Sequence, residues 1–223
     1  MNSPDKKNIF IQLIIKDFKL EWKQRYAFFG MVLYCAATIF ISYLAFHQTI
    51  DAVTWNALFW IIMLFASVNA LAKSFLSENR GRQLYFYTLT SAPVYYLSKL
   101  FYGIILMLSL SLISLLVYSA LNGFPSPEIF SFIITVIIGS TGLAVTLTMI
   151  SAIASRSGSQ TSLMAILGFP VLIPMLIIII KLSAKAIDGF SIISSPRELI
   201  LLSALIVLTG ALSYILFPYI WRE

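Results

Sequence analysis

Residues 129–153 read IFSFIITVIIGSTGLAVTLTMISAI, without a single Lys, Arg, Asp or Glu. A helix of that length rises about 37 Å, enough to cross roughly 30 Å of hydrocarbon. Five further uncharged, mainly apolar stretches flank it: Phe28 to Phe46, Trp55 to Ala72, Leu100 to Leu121, Leu163 to Ile180 and Leu199 to Ile220. Only helices and closed barrels satisfy every backbone group in lipid. Barrel strands would show short alternating segments of about 10 residues, and these runs are continuous. The expected fold class is therefore an all-α integral membrane protein with six transmembrane helices, forming a single membrane domain over residues 1–223.

The composition has the same cause. Of 223 residues, 60% are hydrophobic and 11% charged, too few charges to coat a water-facing surface. Orientation follows from the basic residues between the spans. With both termini cytoplasmic, the inner side carries Lys6, Lys7, Lys16, Lys19, Lys23, Arg25, Lys73, Arg80, Arg82, Lys99, Arg156 and Arg222. The outer side keeps only Lys181, Lys185 and Arg197. The net charge of +6 is thus a topology signal, and no soluble basic domain exists to bind nucleic acid. The first apolar run follows a long charged segment, so it does not read as a cleaved signal peptide. Tyr26, Trp55, Tyr95, Tyr96, Tyr102, Tyr219 and Trp221 stand near span ends, where aromatic rings suit the headgroup layer.

Two segments outside the bilayer carry information. Over residues 6–25, Ile11, Ile14, Phe18 and Trp22 recur at helical spacing while Lys16, Lys19 and Lys23 fall largely elsewhere. This predicts an amphipathic helix in the cytoplasmic interface, either a basic topology anchor or an elbow that also packs on a partner. The cytoplasmic connection 73–99 is much longer than the outer connections 47–54 and 122–128. Its mixed-charge start and aromatic continuation predict a short helix, a turn at Gly81 and a return to the membrane closing at Pro93. Either it is a solvated loop that keeps positive charge inside, or it presents a docking surface to a soluble protein.

Within the spans, Gly139-Ser140-Thr141-Gly142 offers small residues for close helix approach. Pro170 and Pro174 each remove a backbone donor and are expected to kink or loosen the fifth span. Such kinks serve as hinges or as fixed bends. The outer connection 181–198 has room for a short interfacial helix.

Catalytic and cofactor motifs are missing. There is no G-x-x-x-x-G-K-[ST], so ATP hydrolysis is expected in a separate subunit. One cysteine, Cys35, excludes an intrachain disulfide and a C-x-x-C site. His47 is the one histidine, at the outer end of the first span. It is a candidate axial heme ligand, although a lone histidine there is ordinarily a polar residue at headgroup level, and no metal site is expected. With no charge buried in mid-span, an ion-coupled pump is disfavoured. What remains is a permease driven by a partner, or a membrane scaffold.

Together, six spans, an interfacial N-terminal helix, a long cytoplasmic connection after span two and no ATPase site resemble the membrane subunit of a type-2 ABC exporter. Within that group the chain resembles the heme exporter protein B family of cytochrome c maturation. Leu71, Phe75, Glu78, Gly81, Leu84, Pro93 and Lys99 carry the likeness in the cytoplasmic connection. Gly139, Gly142, Leu143, Arg156, Leu163, Pro170 and Pro174 carry it in spans four and five.

The resemblance implies a permease-like subunit for heme handling, with ATP-driven release of heme-loaded chaperone or heme export, in a bacterial inner membrane. It implies a soluble ABC ATPase, a heme-handling membrane subunit and a small membrane subunit as partners, and a homodimer is compatible with it. ATP would act through the ATPase, and heme would be handled by partner proteins, with no cofactor bound directly. Phe75, Leu76, Glu78, Arg80, Gly81 and Arg82 would couple to the ATPase. Gly139, Gly142, Pro170 and Pro174 would pack or bend the helices. Two alternatives stay open: a type-2 exporter permease for a lipid, glycan or drug, and a non-transporting scaffold.

Overall fold

The structure is a computed structural model that describes residues 6–23, 25–46, 50–71, 90–155 and 160–222. Among them are seven α-helices: α1 (Lys6–Lys23), α2 (Arg25–Phe46), α3 (Ala52–Leu71), α4 (Ala92–Asn122), α5 (Ile129–Ala154), α6 (Gln160–Ile187) and α7 (Pro196–Arg222). A short 3-10 turn, Ile192–Ser194, precedes α7. Helices α2 to α7 are each long and apolar enough to cross a membrane, so the six expected spans are present.

Helix α5 forms the centre and packs on α3, α4, α6 and α7. From Gly142 to Thr148 every residue is buried, as an apolar helix enclosed by others requires. Its hydroxyls turn back onto its own carbonyls: Thr135 donates to Ser131 O at 2.9 Å and Ser140 to Val136 O at 2.6 Å. Polar groups are thereby satisfied without water. Helix α2 lies outermost against α3 and α4, and α1 packs across α4 and α2.

Two elements run further than the apolar spans. Helix α4 has 31 residues and begins at Ala92, eight residues before the uncharged run starts. Pro93 stands in its first turn, where a missing N–H costs nothing. Ala92, Tyr95, Tyr96 and Lys99 are all buried, and their helical spacing extends the packed face outward. Helix α6 likewise continues past Ile180 because Leu182, Ser183, Ala186 and Ile187 bury against the bundle. The first part of the outer connection is therefore helix, and only the 3-10 turn follows it. Gly189, at φ +87°, ends α6 in a conformation that L side chains rarely adopt.

Helix α6 is unbroken through Pro170 and Pro174, and both prolines lie on its exposed face. Four rings expected at the headgroup layer are instead internal: Trp55, Tyr95, Tyr96 and Tyr102 are buried in the bundle. Tyr219 is exposed.

Candidate functional site

The two ends of the bundle are held differently. At the end that carries the α4–α5 and α6–α7 connections, polar side chains cross-link the helices. Trp60 Nε1 donates to Ser183 Oγ at 2.9 Å, and Ser183 Oγ donates to Asn56 Oδ1 at 2.7 Å. The Asn56 amide in turn donates to the Ile180 carbonyl at 3.0 Å, which closes a loop between α3 and α6. Trp55 Nε1 reaches the Gly123 carbonyl at 3.0 Å, and Ser126 donates to the Ala186 carbonyl at 2.7 Å. Around this network Trp55, Phe59, Tyr118, Phe124 and Phe132 interlock, with ring centroids 4.7 to 6.0 Å apart. Trp55, Phe59, Tyr118 and Phe132 have at most 1% of their surface exposed, so the cluster is a filled core and holds no room for a ligand.

Glycines permit this packing. A Cβ on Gly139 would stand 2.7 Å from Trp60 Cη2, and one on Gly142 would stand 3.0 Å from Met175 Sδ and 3.1 Å from Ile206 Cγ1. Gly139 thus admits the Trp60 ring from α3, and Gly142 admits side chains of α6 and α7.

The opposite end of the bundle is the one where α3 finishes at Leu71 and α4 begins at Ala92. Leu13 of α1, Ala92, Tyr95 and Tyr96 of α4, Ala152 of α5 and Phe217 of α7 form one buried cluster, with Trp221 packed against it. Tyr95 lies against Phe217 and Trp221, with centroids 6.3 and 4.7 Å away. A buried charged pair lies beside this cluster. Lys99 Nζ lies 3.0 Å from Asp17 Oδ1, and both side chains are only 4% exposed. Lys16 Nζ approaches the same oxygen at 3.4 Å. Asp17 Oδ2 is buried and accepts no hydrogen bond.

Rings fix how α1 lies. Phe10 meets Phe101 edge-on at 5.6 Å and Phe18 meets Tyr102 at 5.4 Å. Positions 10 and 18 are about 12 Å apart along α1, yet they touch neighbouring residues of α4. Helix α1 therefore crosses α4 rather than running beside it. Ile11, Ile15 and Phe18 remain more than 40% exposed, the apolar strip a helix lying in a membrane interface presents.

Asp17 and Lys99 were not evident as partners from the chain. The available signal was positional: Asp17 falls at i+4 from Leu13 and i+7 from Phe10, a carboxylate on an otherwise apolar stripe. Of the sequence-predicted site residues, Phe75, Leu76, Glu78, Arg80, Gly81 and Arg82 lie outside the described residues, as does His47. Among the described residues, no three His, Cys, Asp or Glu side chains group as metal ligands would.

A family model described as CcmB protein matches residues 8–219, nearly the whole chain. No curated protein and no solved structure matches it.

Proposed function

The chain belongs to the CcmB protein family, the membrane permease subunit of an ABC transporter in heme transport and cytochrome c biogenesis, and on that premise we propose a specific role for it. Its task is to convert ATP hydrolysis by a separate soluble subunit into release of heme-loaded chaperone on the outer face of a bacterial inner membrane. The observation that carries this reading is the family match from residue 8 to residue 219. Six apolar helices with nearly all basic residues on one side support the orientation, with both termini cytoplasmic.

The ATPase docks on the cytoplasmic connection through Phe75, Leu76, Glu78, Arg80, Gly81 and Arg82. That connection leaves from Leu71 and returns at Ala92, beside the inner cluster. A push on it meets the head of α4 directly. Gly139 and Gly142 keep the helices in close contact, and Pro170 and Pro174 supply bending points in α6. A heme-handling membrane subunit and a small membrane subunit complete the complex, and heme is their cargo.

Deletion of the gene followed by a heme-stained gel of membrane and periplasmic proteins tests the reading. Covalently heme-stained c-type cytochromes vanish on deletion and return with a plasmid copy. If they persist in a cell with no second maturation system, the role fails, and export of another substrate becomes the better account.

A further inference from the structure

The Asp17–Lys99 pair is an expensive feature that stability alone does not explain. Each charge taken out of water costs several kcal/mol, and an apolar pair of similar volume commonly does as well or better. The carboxylate is also engaged through one oxygen only. Both ammonium groups, Lys99 at 3.0 Å and Lys16 at 3.4 Å, converge on Oδ1, while the buried Oδ2 accepts nothing. Whatever such a pair adds to stability, it is directional. It fixes α1 at one angle and one height on α4, where greasy contacts alone would let a crossing helix slide.

Its place in the chain gives that direction a use. Lys99 lies two turns into α4, whose head receives the cytoplasmic connection. Asp17 lies on the helix that leads, through residue 24, into α2. We propose that Asp17 and Lys99 form a buried latch that makes α1 move with the head of α4, so that displacement of the connection 73–89 reaches α2 through α1. Both act as positioning residues, since both side chains are buried between α1 and α4. The proposal rests on the ATPase-coupled role above.

The test uses the complex with its ATPase, purified from membranes of a deletion strain carrying each variant. Three quantities are read per assembled complex: ATP hydrolysis, heme-stained cytochrome formed in the same cells, and the ATP-dependent change in maleimide labelling at Lys19→Cys, an exposed position on α1, in a Cys35→Ala background. Asp17→Asn and Lys99→Gln should retain ATP hydrolysis, lose the ATP-dependent labelling change and form about tenfold less cytochrome, the size of a typical coupling between sites. The swap Asp17→Lys with Lys99→Asp should restore both. If the single variants fail to accumulate, Asp17→Leu with Lys99→Met replaces the pair by apolar side chains and recovers folding. It should still lack the labelling change.

Normal labelling change and normal cytochrome per complex in the single or the apolar variants overturn the latch, as does hydrolysis falling in step with cytochrome. Failure of the role itself is distinguishable, because it appears as cytochromes that persist in the deletion strain without any plasmid. The labelling change alone then decides the latch.

Discussion

Gly139 shows how much one missing methyl group decides. Trp60 fills the place a Cβ would take, at 2.7 Å, and its indole N–H is engaged with Ser183, so the ring has little freedom to retreat. Gly139→Ala is expected to destabilise the purified protein by about 1–3 kcal/mol, the usual cost of overpacking, seen as a lower Tm in detergent. Gly30→Ala, with nothing within 4 Å of the added carbon, should leave Tm unchanged or raise it slightly through helix propensity. A second residue-scale expectation concerns Asp51, which caps α3. Its carboxylate accepts the Thr54 N–H at 3.2 Å, and hydrogen bonds from the Thr54 hydroxyl and N–H hold its pKa below the ordinary carboxylate value. A lowered folded-state pKa means the cap is fully present above the unfolded-state pKa and is lost as pH falls through the folded one. The drop in Tm between pH 6 and pH 3 should therefore be smaller in Asp51→Asn, which caps without a charge. That Gly139 and Gly142 are small was visible in the chain, but which side chain each admits was not, because Trp60 is 79 positions from Gly139 and nothing local pairs them.

Among the elements, the spans were legible because an uncharged apolar run of bilayer length has few other uses in a protein. Their ends were less so. Hydropathy stops at the first charge, whereas α4 carries on through Lys99, which is buried on the packed face, and α6 carries on through Lys181 and Lys185, since Leu182, Ser183 and Ala186 pack on its other face. The chain also marks Tyr95, Tyr96 and Trp55 as span-end aromatics, and their burial inside the bundle depends on neighbours that hydropathy does not name. Length and composition offered the connection as a docking surface, the resemblance implied its coupling to an ATPase, and that role is tested there. Glu78→Ala with Arg80→Ala should reduce co-purification of the ATPase without loss of membrane insertion, and unchanged co-purification counts against docking. Helix α6 offers a second check. Pro170→Ala with Pro174→Ala restores two backbone donors, so Tm should rise. If the prolines are bending points, heme-stained cytochrome should fall as the helix stiffens. Retained maturation in a more stable protein would make them fixed bends.

For the whole molecule, the placement of both termini makes a simple demand. In a Cys35→Ala background, Asp51→Cys should react with a membrane-impermeant maleimide in intact cells, while Ser91→Cys should react only after the membrane is opened; the reverse pattern would invert the topology. The two ends also differ in kind, with neutral hydrogen bonds joining α3 to α6 at one and a buried charged pair joining α1 to α4 at the other. One further consequence follows from the length of α4. The uncharged part, residues 100–121, spans about 33 Å, close to the thickness of a bilayer's hydrocarbon layer. Lysines at such a boundary ordinarily adjust to thicker or thinner lipid by snorkelling their stems. Lys99 is denied that freedom by Asp17. With that route closed, a change of acyl-chain length is expected to tilt α4 with α1 attached or to deform the lipid around it, so cytochrome formation should vary with membrane thickness.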